Sequence, residues 1–388
     1  MPVPVEQIQR LAGFELNALR AAEILGRDFD NLKIPPTGTP IHDINGTVLF
    51  YRIPLNRGST IEGFVDIAAN EALGEPLVSV SMGGKWDEKA ILREAGAVAR
   101  SRSMKYDSLR FVAYSFPKIA LQFLQKSREV AMLEWKNWKE IPQQSHGRQL
   151  LAPSNFERWS FIDEMPAEIR QARLLGFRKR QEIWQSPEVS KLQPLVISKT
   201  IKIPVSLVDT REIHYSPRAE DHHPCYELRG QQTNVWCVAA SVEMLLNFYR
   251  YRYDQPRLAQ EMQLGTCNAP NGLPYGEEHK VVDTIEKLSS NTLDSTDIAN
   301  PGWATFESEI RENRPLISFI PGHSRTVAGY THSLIHLADQ PPFRGLLVYD
   351  PWPPTDCAHP EAGGVITRWE NFATQTYRHA FTAVLKQV

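Results

Sequence analysis

The chain has 388 residues, of which 42% are hydrophobic and 23% are charged, and its formal net charge is -2 at pH 7. At a usual size of roughly 100 to 200 residues per domain, this length predicts two domains, and the composition is typical of a soluble globular protein. The charge argues against a general nucleic-acid binder, and no apolar run in the sequence is long enough to cross a bilayer. The first residues lack the basic start, apolar core and cleavage site of a signal peptide, so we expect a cytoplasmic location, with nonclassical export left open.

The first 140 residues are predicted to alternate helices with strands. Apolar residues at helical spacing predict an amphipathic helix over residues 5–25, ended by Gly26. Turn residues then divide a series of β-rich segments, the first three of which form an antiparallel meander. The predicted strands are Thr47–Leu55, Ile61–Ala68, Pro76–Met82, Leu109–Phe116 and the residues near Val130–Trp135, with a helix over Trp86–Arg100. This order predicts an α+β domain over residues 1–140 with an antiparallel sheet.

Residues 141–200 have a different composition and are interpreted as a helical connector. A helix is predicted over Ala167–Trp184, where basic side chains cluster with Glu168 and Glu182 between them. The mixed charge and the lack of an aromatic stacking platform favour a solvated or interdomain face over a nucleic-acid surface. The alternating segment TIKIPVSLV, from about Lys199, predicts a strand that opens the region 201–388.

The segment from Gly230 to Tyr249 is predicted to be a loop that runs into a helix. Its apolar residues recur at helical spacing, and Asn234 is a candidate N-cap, which places Cys237 in the first turn. A thiol at that position faces unpaired backbone N–H groups and the positive end of the helix dipole, and both lower its pKa. Cys237 is therefore a candidate nucleophile. The alternative is a small buried hydrophobic residue, as many free cysteines are.

The last part of the chain is predicted to be helical first and then rich in strands. Residues 251–300 are expected to form small helices and loops, followed by a helix over Trp303–Asn313. The predicted strands are Leu316–Ile320, Thr326–Tyr330, Gly345–Tyr349 and Phe381–Leu385. His323 then lies at a strand end and Asp350 follows another strand. The pattern predicts a helix bearing Cys237 packed on an antiparallel sheet that bears His323 and Asp350.

The four cysteines are too few and too irregularly spaced for a disulfide framework or a paired-cysteine metal site. Cys225 with Cys267, or Cys357 with His359, could form a bridge or bind a metal, although zinc ligands usually come in close pairs. Motifs for nucleotide binding (GxxxxGK[ST] and GxGxxG) and for zinc peptidases (HExxH) are missing from the sequence. We therefore expect no cofactor and no metal.

Gln231, Trp236-Cys237 and the run Ala239-Ala240-Ser241, followed by Glu243-Met244-Leu245, resemble the motif of the papain-like cysteine peptidases, especially their C39-like branch. Val238 departs from that motif, which usually has a second tryptophan there. The later segments RPLISFIPGHSRTVAGY and LLVYDPW are similar to the family's histidine and aspartate strands. The resemblance implies a papain-like fold over residues 201–388.

The same resemblance implies a role for each residue of the motif. Cys237 is the nucleophile, His323 the general base and Asp350 the carboxylate that orients it. Gln231 is the side-chain donor to the oxyanion, with Gln232 as the alternative if the loop register differs by one residue. The rivals of the base are two nearby histidines, His332 and His336.

The segments DINGTVLFYRIPL, GFVDIAA and GEPLVSVSMG in the first half look like the propeptide regions of streptopain-like peptidases. This resemblance implies a folded N-terminal domain that blocks the cleft until it is removed. The alternative is an ordinary accessory domain without an inhibitory role.

The sequence thus predicts a cysteine endopeptidase made as a proenzyme, with a peptide or protein as substrate and its own N-terminal domain as intramolecular inhibitor. No nucleic-acid or membrane partner is expected. Two other functions stay open at this point. A transglutaminase-like acyl transferase uses the same three residues but hands the acyl group to an amine, and a non-catalytic papain-fold module would use the closed cleft for recognition.

Overall fold

A computed structural model of the protein describes residues 3, 5–83, 86–142, 158–185, 195–198, 208–213, 226–333, 344–358 and 363–386. The α-helices of these residues, labelled in chain order, are α1 (Val5–Ala21), α2 (Glu88–Ser101), α3 (Ala167–Gln185), α4 (Cys237–Phe248), α5 (Gln255–Glu261), α6 (His279–Leu288) and α7 (Trp303–Arg311). None of the described helices is both long enough and apolar enough to span a membrane.

The strands divide between the two halves of the chain. Those of the first half are β1 (Thr39–Asp43), β2 (Val48–Arg57), β3 (Thr60–Ala68), β4 (Leu77–Met82), β5 (Ser108–Ser115), β6 (Lys118–Gln125) and β7 (Arg128–Glu134). Those of the second half are β8 (Val208–Glu212), β9 (Gly265–Thr266), β10 (Ala269–Pro270), β11 (Leu293–Ala299), β12 (Leu316–Ile320), β13 (His323–Ser333), β14 (Arg344–Asp350), β15 (Val365–Asn371) and β16 (His379–Leu385).

One sheet runs through both halves of the chain. Within the described residues it joins fourteen strands in the order β11-β16-β12-β13-β14-β15-β4-β3-β2-β1-β5-β6-β7, with β8 also paired to β13. Its neighbours are antiparallel except β1 and β5. The two halves meet where β15 pairs with β4, with Thr367 opposite Ser81 and Glu370 opposite Ser79. The region predicted as a separate N-terminal domain is therefore hydrogen-bonded edge to edge with the second half.

Two apolar cores lie along this sheet. The first packs α1 and α2 on the strands of the N-terminal half, and it also takes in Trp352 and Trp369 from the second half. The second surrounds α4, whose side chains are buried on nearly all sides. A helix that is apolar all round must be enclosed, and α4 is enclosed by β12, β13, α5 and α6. This burial fixes the helix that begins with Cys237.

The predicted α+β class and its antiparallel sheet are confirmed. The meander of β2, β3 and β4 has the predicted order, and strands and helices in the second half lie where periodicity placed them. Among the described residues, six strands were not predicted: β1, β6, β9, β10, β11 and β15. The segment predicted as a strand from about Lys199 lies outside the described residues up to Val208, where β8 begins.

The first helix ends earlier than predicted. α1 stops at Ala21, and Glu23 takes the left-handed conformation with a φ of 61°. The N–H of Ile24 then donates to the carbonyl of Leu19 at 3.0 Å. This is the hydrogen bond of a Schellman cap, so the chain turns at Glu23 and not at Gly26.

Helix α3 of the connector is an interdomain element. Arg180 forms an ion pair with Glu15 of α1 at 2.8 Å, and the buried Arg173 donates to the carbonyl of Gln375 at 2.6 Å. The basic residues of this helix therefore contact both halves of the protein, which agrees with the interdomain alternative of the prediction.

Candidate active site

Cys237 is the first residue of α4, as predicted, but Asn234 is not the N-cap. The N-cap position is taken by Trp236, whose side chain makes no capping bond and instead donates from Nε1 to the carbonyl of Leu264 at 2.9 Å. Asn234 accepts a hydrogen bond from Asn137 of the N-terminal half. The first N–H groups of a helix have no intrahelical partner, so the uncapped start of α4 leaves donors beside the Cys237 sulfur.

Small residues on α4 let this helix approach the sheet at the point where His323 begins β13. Ser241, one turn after Cys237, donates to the carbonyl of Cys237 at 2.9 Å and accepts from Ser324 at 2.8 Å. Ala239 and Ala240 beside it are fully buried. This run of small residues therefore contacts β13 next to His323.

His323 and Asp350 come together because they lie at the same end of two paired antiparallel strands, β13 and β14. His323 donates from Nε2 to Oδ1 of Asp350 at 2.7 Å, and both side chains are buried. A carboxylate can only accept, so Nε2 carries the proton. Asp350 is itself held by the backbone N–H of Trp352, which donates to the same oxygen at 2.8 Å. The ring is thereby fixed through Nε2, and its Nδ1 is buried without a hydrogen-bond partner among the described residues. Cys237 and His323 lie in the wall of one cavity.

The electrostatics favour charge on both Cys237 and His323. Burial alone raises the pKa of the Cys237 thiol, but the hydrogen bond with His323, the charges of Lys118 and His323 and the backbone N–H of Ser324 outweigh it and lower that pKa to about 7. Burial lowers the pKa of His323, yet the charge and hydrogen bond of Asp350, together with Cys237, raise it above its usual value. A lowered thiol pKa beside a raised imidazole pKa describes a thiolate–imidazolium pair.

Gln231 lies in the loop before Cys237, and its backbone joins this loop to the segment after Asp350. Its N–H donates to the carbonyl of Pro351 at 2.9 Å, and its carbonyl accepts from Thr355 at 2.8 Å. The side-chain Nε2 donates to the carbonyl of Thr233 at 2.7 Å, and Oε1 is buried without a hydrogen-bond partner among the described residues. That bond uses one of the two hydrogens of Nε2, and the predicted role at an oxyanion stays a prediction.

The alternative residues lie elsewhere or outside the described part of the chain. The ring of His332 lies between Asp209 and Glu307, at 3.7 and 3.6 Å, and stacks on Trp303. Gln232 donates from its backbone N–H to the side chain of Gln255 at 2.8 Å. His336 falls outside the described residues. Among the histidines that are described, the one beside Cys237 is His323.

The cavity in front of Cys237 is small and partly closed by the N-terminal half. Its volume is about 80 Å³, and its walls include His323, Tyr275 and Lys118, the first residue of β6. Cys237 is 7% exposed. Pockets that hold organic ligands are usually roughly 300 to 1,000 Å³, so this cavity is smaller than a usual ligand pocket.

Several residues of the N-terminal half reach this site, and sequence reasoning missed all of them. Glu134, at the end of β7, is fully buried; it accepts from the hydroxyl of Tyr114 at 2.5 Å and from Nδ2 of Asn137 at 2.8 Å. The indole N–H of Trp352, two residues after Asp350, lies 3.4 Å from the same carboxylate. Lys118 directly precedes the apolar run IALQFL, and this pattern could have predicted a strand that begins with a lysine. The strand β6 was not predicted.

A larger cavity, of about 420 Å³, lies between the two halves behind Asp350. Aromatic residues of both halves line it, among them Phe64, Trp135 and Trp352. Its Arg52 is paired with Asp66 at 2.8 Å, and its Glu370 is paired with Arg325 at 2.5 Å. Arg52 and Glu370 at this cavity are therefore paired within the protein, and the ammonium group of Lys136 lies over the ring of Trp135 at 4.7 Å.

The disulfide alternatives of the sequence are wrong for two of the cysteines. Cys267 forms a disulfide bond with Cys357. Cys267 therefore does not pair with Cys225, and Cys357 is not available to act with His359. Cys225 and His359 lie outside the described residues. The bond ties the short β9–β10 hairpin to the segment after Asp350, and Cys237 is the free cysteine of the described chain. Within the same residues no group of three or more His, Cys, Asp or Glu side chains is arranged to hold a metal ion.

The second half of the chain matches one protein-family model. The family model described as Peptidase_C39 like family matches residues 224–377, which is under half of the chain and contains Cys237, His323 and Asp350. This match supports a C39-like cysteine peptidase at the level of the family. The α+β fold with its large, mostly antiparallel sheet is consistent with a papain-like fold.

Two solved structures are also similar to parts of the chain. One is the peptidase domain of Streptococcus ComA, described as a bi-functional ABC transporter involved in quorum sensing, with 14% identity, a TM-score of 0.27, and coverage of 42% of this chain and 99% of that one. The other is UfSP from C. elegans, with 17% identity and a TM-score of 0.27; the match covers 49% of this chain and 36% of that one. Among curated proteins, none matches the sequence of this chain.

Proposed function

We propose that this protein is a cysteine endopeptidase made as a proenzyme, in which residues 1–140 block the active site until they are removed. The observation that carries the proposal is the placement of the buried Cys237 thiol, with its pKa lowered to about 7, beside a histidine whose other ring nitrogen is bonded to Asp350. A thiolate with a paired, oriented imidazole is the activated nucleophile of this type of enzyme.

In the proposed reaction the Cys237 sulfur attacks the carbonyl carbon of the scissile peptide bond. The proton on Nδ1 of His323 passes to the leaving amine as the C–N bond breaks, which leaves a thioester on Cys237. Water then loses a proton to the same nitrogen as it attacks the thioester, and the carboxylic acid product leaves. Asp350 keeps the ring in one orientation throughout and stabilises its positive charge.

The negative oxygen that forms in both steps needs hydrogen-bond donors. The backbone N–H of Cys237, at the start of α4, supplies one, and the second hydrogen of Gln231 Nε2 is assigned as the other. A donor of this kind is worth about 3 kcal/mol of transition-state stabilisation.

The proposed block rests on the contacts of the N-terminal half at the site. Ser115 donates to the carbonyl of Pro321 at 2.9 Å and Lys118 to that of Gly322 at 2.7 Å, so the turn between β5 and β6 is attached directly before His323. Together with the contacts of Glu134, these hydrogen bonds support the proposal that N-terminal side chains cover the cleft. The cavity of about 80 Å³ that is left supports the same conclusion.

The proposal is tested with a chain that carries a recognition sequence for a specific protease between residues 143 and 157. We expect little hydrolysis of a peptide library by the intact chain and at least a tenfold increase after cutting and chromatographic separation of the N-terminal part. A scrambled recognition sequence is the control for the insertion, and Cys237→Ala should show no hydrolysis in either form. Equal hydrolysis by the Cys237→Ala protein would reject the proposed nucleophile.

The same reaction mixtures separate the two open alternatives. Transfer of the acyl group to an added amine, in place of release of a free acid, would identify an acyl transferase. If the separated catalytic part binds peptides but releases no product and no amide, the fold serves recognition and the peptidase proposal fails.

A further inference from the structure

Lys118 is the basic residue of the N-terminal half that lies in the wall of the Cys237 cavity. It begins β6 directly after the turn that contacts Pro321, and it is 6% exposed. Its Nζ donates to the carbonyl of Gly322 at 2.7 Å, which holds the ammonium group next to His323. The side chain is thus both buried and fixed in direction.

A buried ammonium group requires compensating negative charge, because its desolvation is costly. The carbonyl of Gly322 is neutral. Glu134 is a nearby carboxylate, and the charge of Lys118 and the hydrogen bonds from Tyr114 and Asn137 lower its pKa. Burial outweighs these effects, so the pKa of Glu134 is raised. The other group that gains from the charge of Lys118 is the sulfur of Cys237, whose pKa it lowers.

We propose that Lys118 is an active-site positioning residue contributed by the N-terminal half, and that its ammonium group holds the Cys237 sulfur in the thiolate form. The effect of Lys118 on catalysis rests on the proposed peptidase function. The effect of its charge on the Cys237 thiol does not depend on that function. The inference changes the expected role of residues 1–140: they cover the cleft and at the same time prime its nucleophile.

One consequence concerns the separated catalytic part. Removal of the N-terminal half takes away the ammonium group and leaves His323 as the cation beside the thiol. The thiol of the separated part should therefore titrate at a higher pH than the same thiol in the full chain.

The titration of Cys237 has to be interpreted with every group that faces it. These groups are His323 of β13, Lys118 of β6, Tyr114 of β5, Tyr275 in the loop before α6 and Glu278 at the start of α6. Burial raises the pKa of Tyr114 well above its usual value, with Glu134 adding to the effect, so Tyr114 stays neutral near pH 7. His323 and Lys118 are then the cations that lower the thiol pKa.

The test measures the ultraviolet absorbance of the thiolate against pH in the full chain, in a Cys225→Ser background and with Cys237→Ala as the blank. This readout does not require a reagent to enter the small cavity. For Lys118→Met we expect the midpoint to rise by about one pH unit or more, which is a tenfold smaller thiolate fraction on the acid side. Lys118→Arg keeps the charge and should stay near the parent.

Ser115→Ala is the matched control, because it removes a hydrogen bond of the same turn to the neighbouring carbonyl without removing a charge. Its thiol midpoint should equal that of the parent. The inference is overturned if the thiol midpoint of Lys118→Met equals that of the parent. It is also overturned if the midpoint rises equally in Lys118→Arg, because that variant changes the shape of the side chain but keeps its charge. Thermal unfolding of each variant shows that the comparison is made on folded protein.

Peptide hydrolysis by the separated catalytic part, once its thermal unfolding has shown that this part is folded, distinguishes this inference from the proposed function. A shifted midpoint in Lys118→Met, with no peptide cleaved by the parent protein, would keep the charge relation and reject the peptidase. Peptide cleavage with no shift in Lys118→Met would keep the peptidase and reject the role of Lys118.

Discussion

His323 donates from Nε2 to Asp350 at 2.7 Å, and this bond leaves Nδ1 as the ring nitrogen that interacts with Cys237. Asp350→Asn replaces the negative charge with a neutral amide of the same shape. The variant loses stabilisation of the imidazolium, and we expect kcat/KM for a peptide to fall about a hundredfold or more. Asp294→Asn, on the exposed edge strand β11, is the control and should leave kcat/KM unchanged.

A pH profile should show two limits with opposite signs. As the pH falls through about 7, the Cys237 thiol takes up a proton and the thiolate is lost. As the pH rises through the raised pKa of His323, the imidazolium loses the proton that the leaving amine needs. Peptide hydrolysis by the separated catalytic part should therefore give a bell-shaped curve, with its acid limit above that of the full chain because Lys118 is absent. Alkylation of Cys237 in the full chain by a small reagent should only rise with pH.

His323→Gln separates the two limits. This variant loses the hydrogen bond and the positive charge next to the sulfur, so the alkylation midpoint should rise from about 7 towards the usual value of a thiol. An unchanged midpoint would mean that the lowered pKa has another source, and the ion pair between Cys237 and His323 would have to be given up.

The pair of Arg325 and Glu370 should be important for stability. The two side chains are 2.5 Å apart and almost completely buried, with exposures of 1% and 4%. Glu370→Gln leaves the Arg325 charge without its partner, and we expect the free energy of unfolding to fall by about 3–5 kcal/mol. Glu312→Gln, at a side chain that is 66% exposed, should change it by less than about 0.5 kcal/mol. Chemical denaturation followed by fluorescence measures both.

Loss of the disulfide between Cys267 and Cys357 should also destabilise the protein. The bond spans 90 positions of the sequence, and closing a loop of that length restricts the unfolded chain by an amount worth on the order of 4 kcal/mol. We expect Cys267→Ser to unfold at a lower denaturant concentration than the parent. Reduction should lower the denaturant midpoint of the parent to a value similar to that of Cys267→Ser and should leave the midpoint of the variant unchanged. Equal midpoints in all samples would show that the disulfide bond does not form in solution.

Local sequence was sufficient for the elements that carry Cys237, His323 and Asp350. Helix α4 shows apolar residues at helical spacing, and strand β14 is a short apolar run that ends at Asp350. Strand β13 begins at His323 and extends beyond the predicted strand Thr326–Tyr330 at both ends. The positions of the three residues at the ends of those elements followed from the run boundaries and from the family motif. One of the missed strands is of another kind: β11 is a polar edge strand, and its pattern of burial exists only because β16 lies beside it.

Tertiary structure alone decided which distant residues surround the thiol. Nothing in the order of residues indicates that Lys118 lies beside Cys237, that β4 pairs with β15, or that Cys267 bonds Cys357 and not Cys225. Periodicity indicates which face of an element is buried. It does not indicate which other element, more than a hundred residues away in the sequence, packs against that face. The sequence therefore determined the helix start and strand ends at the site, and the pairing of the two halves through one sheet determined the charges that the Cys237 sulfur meets.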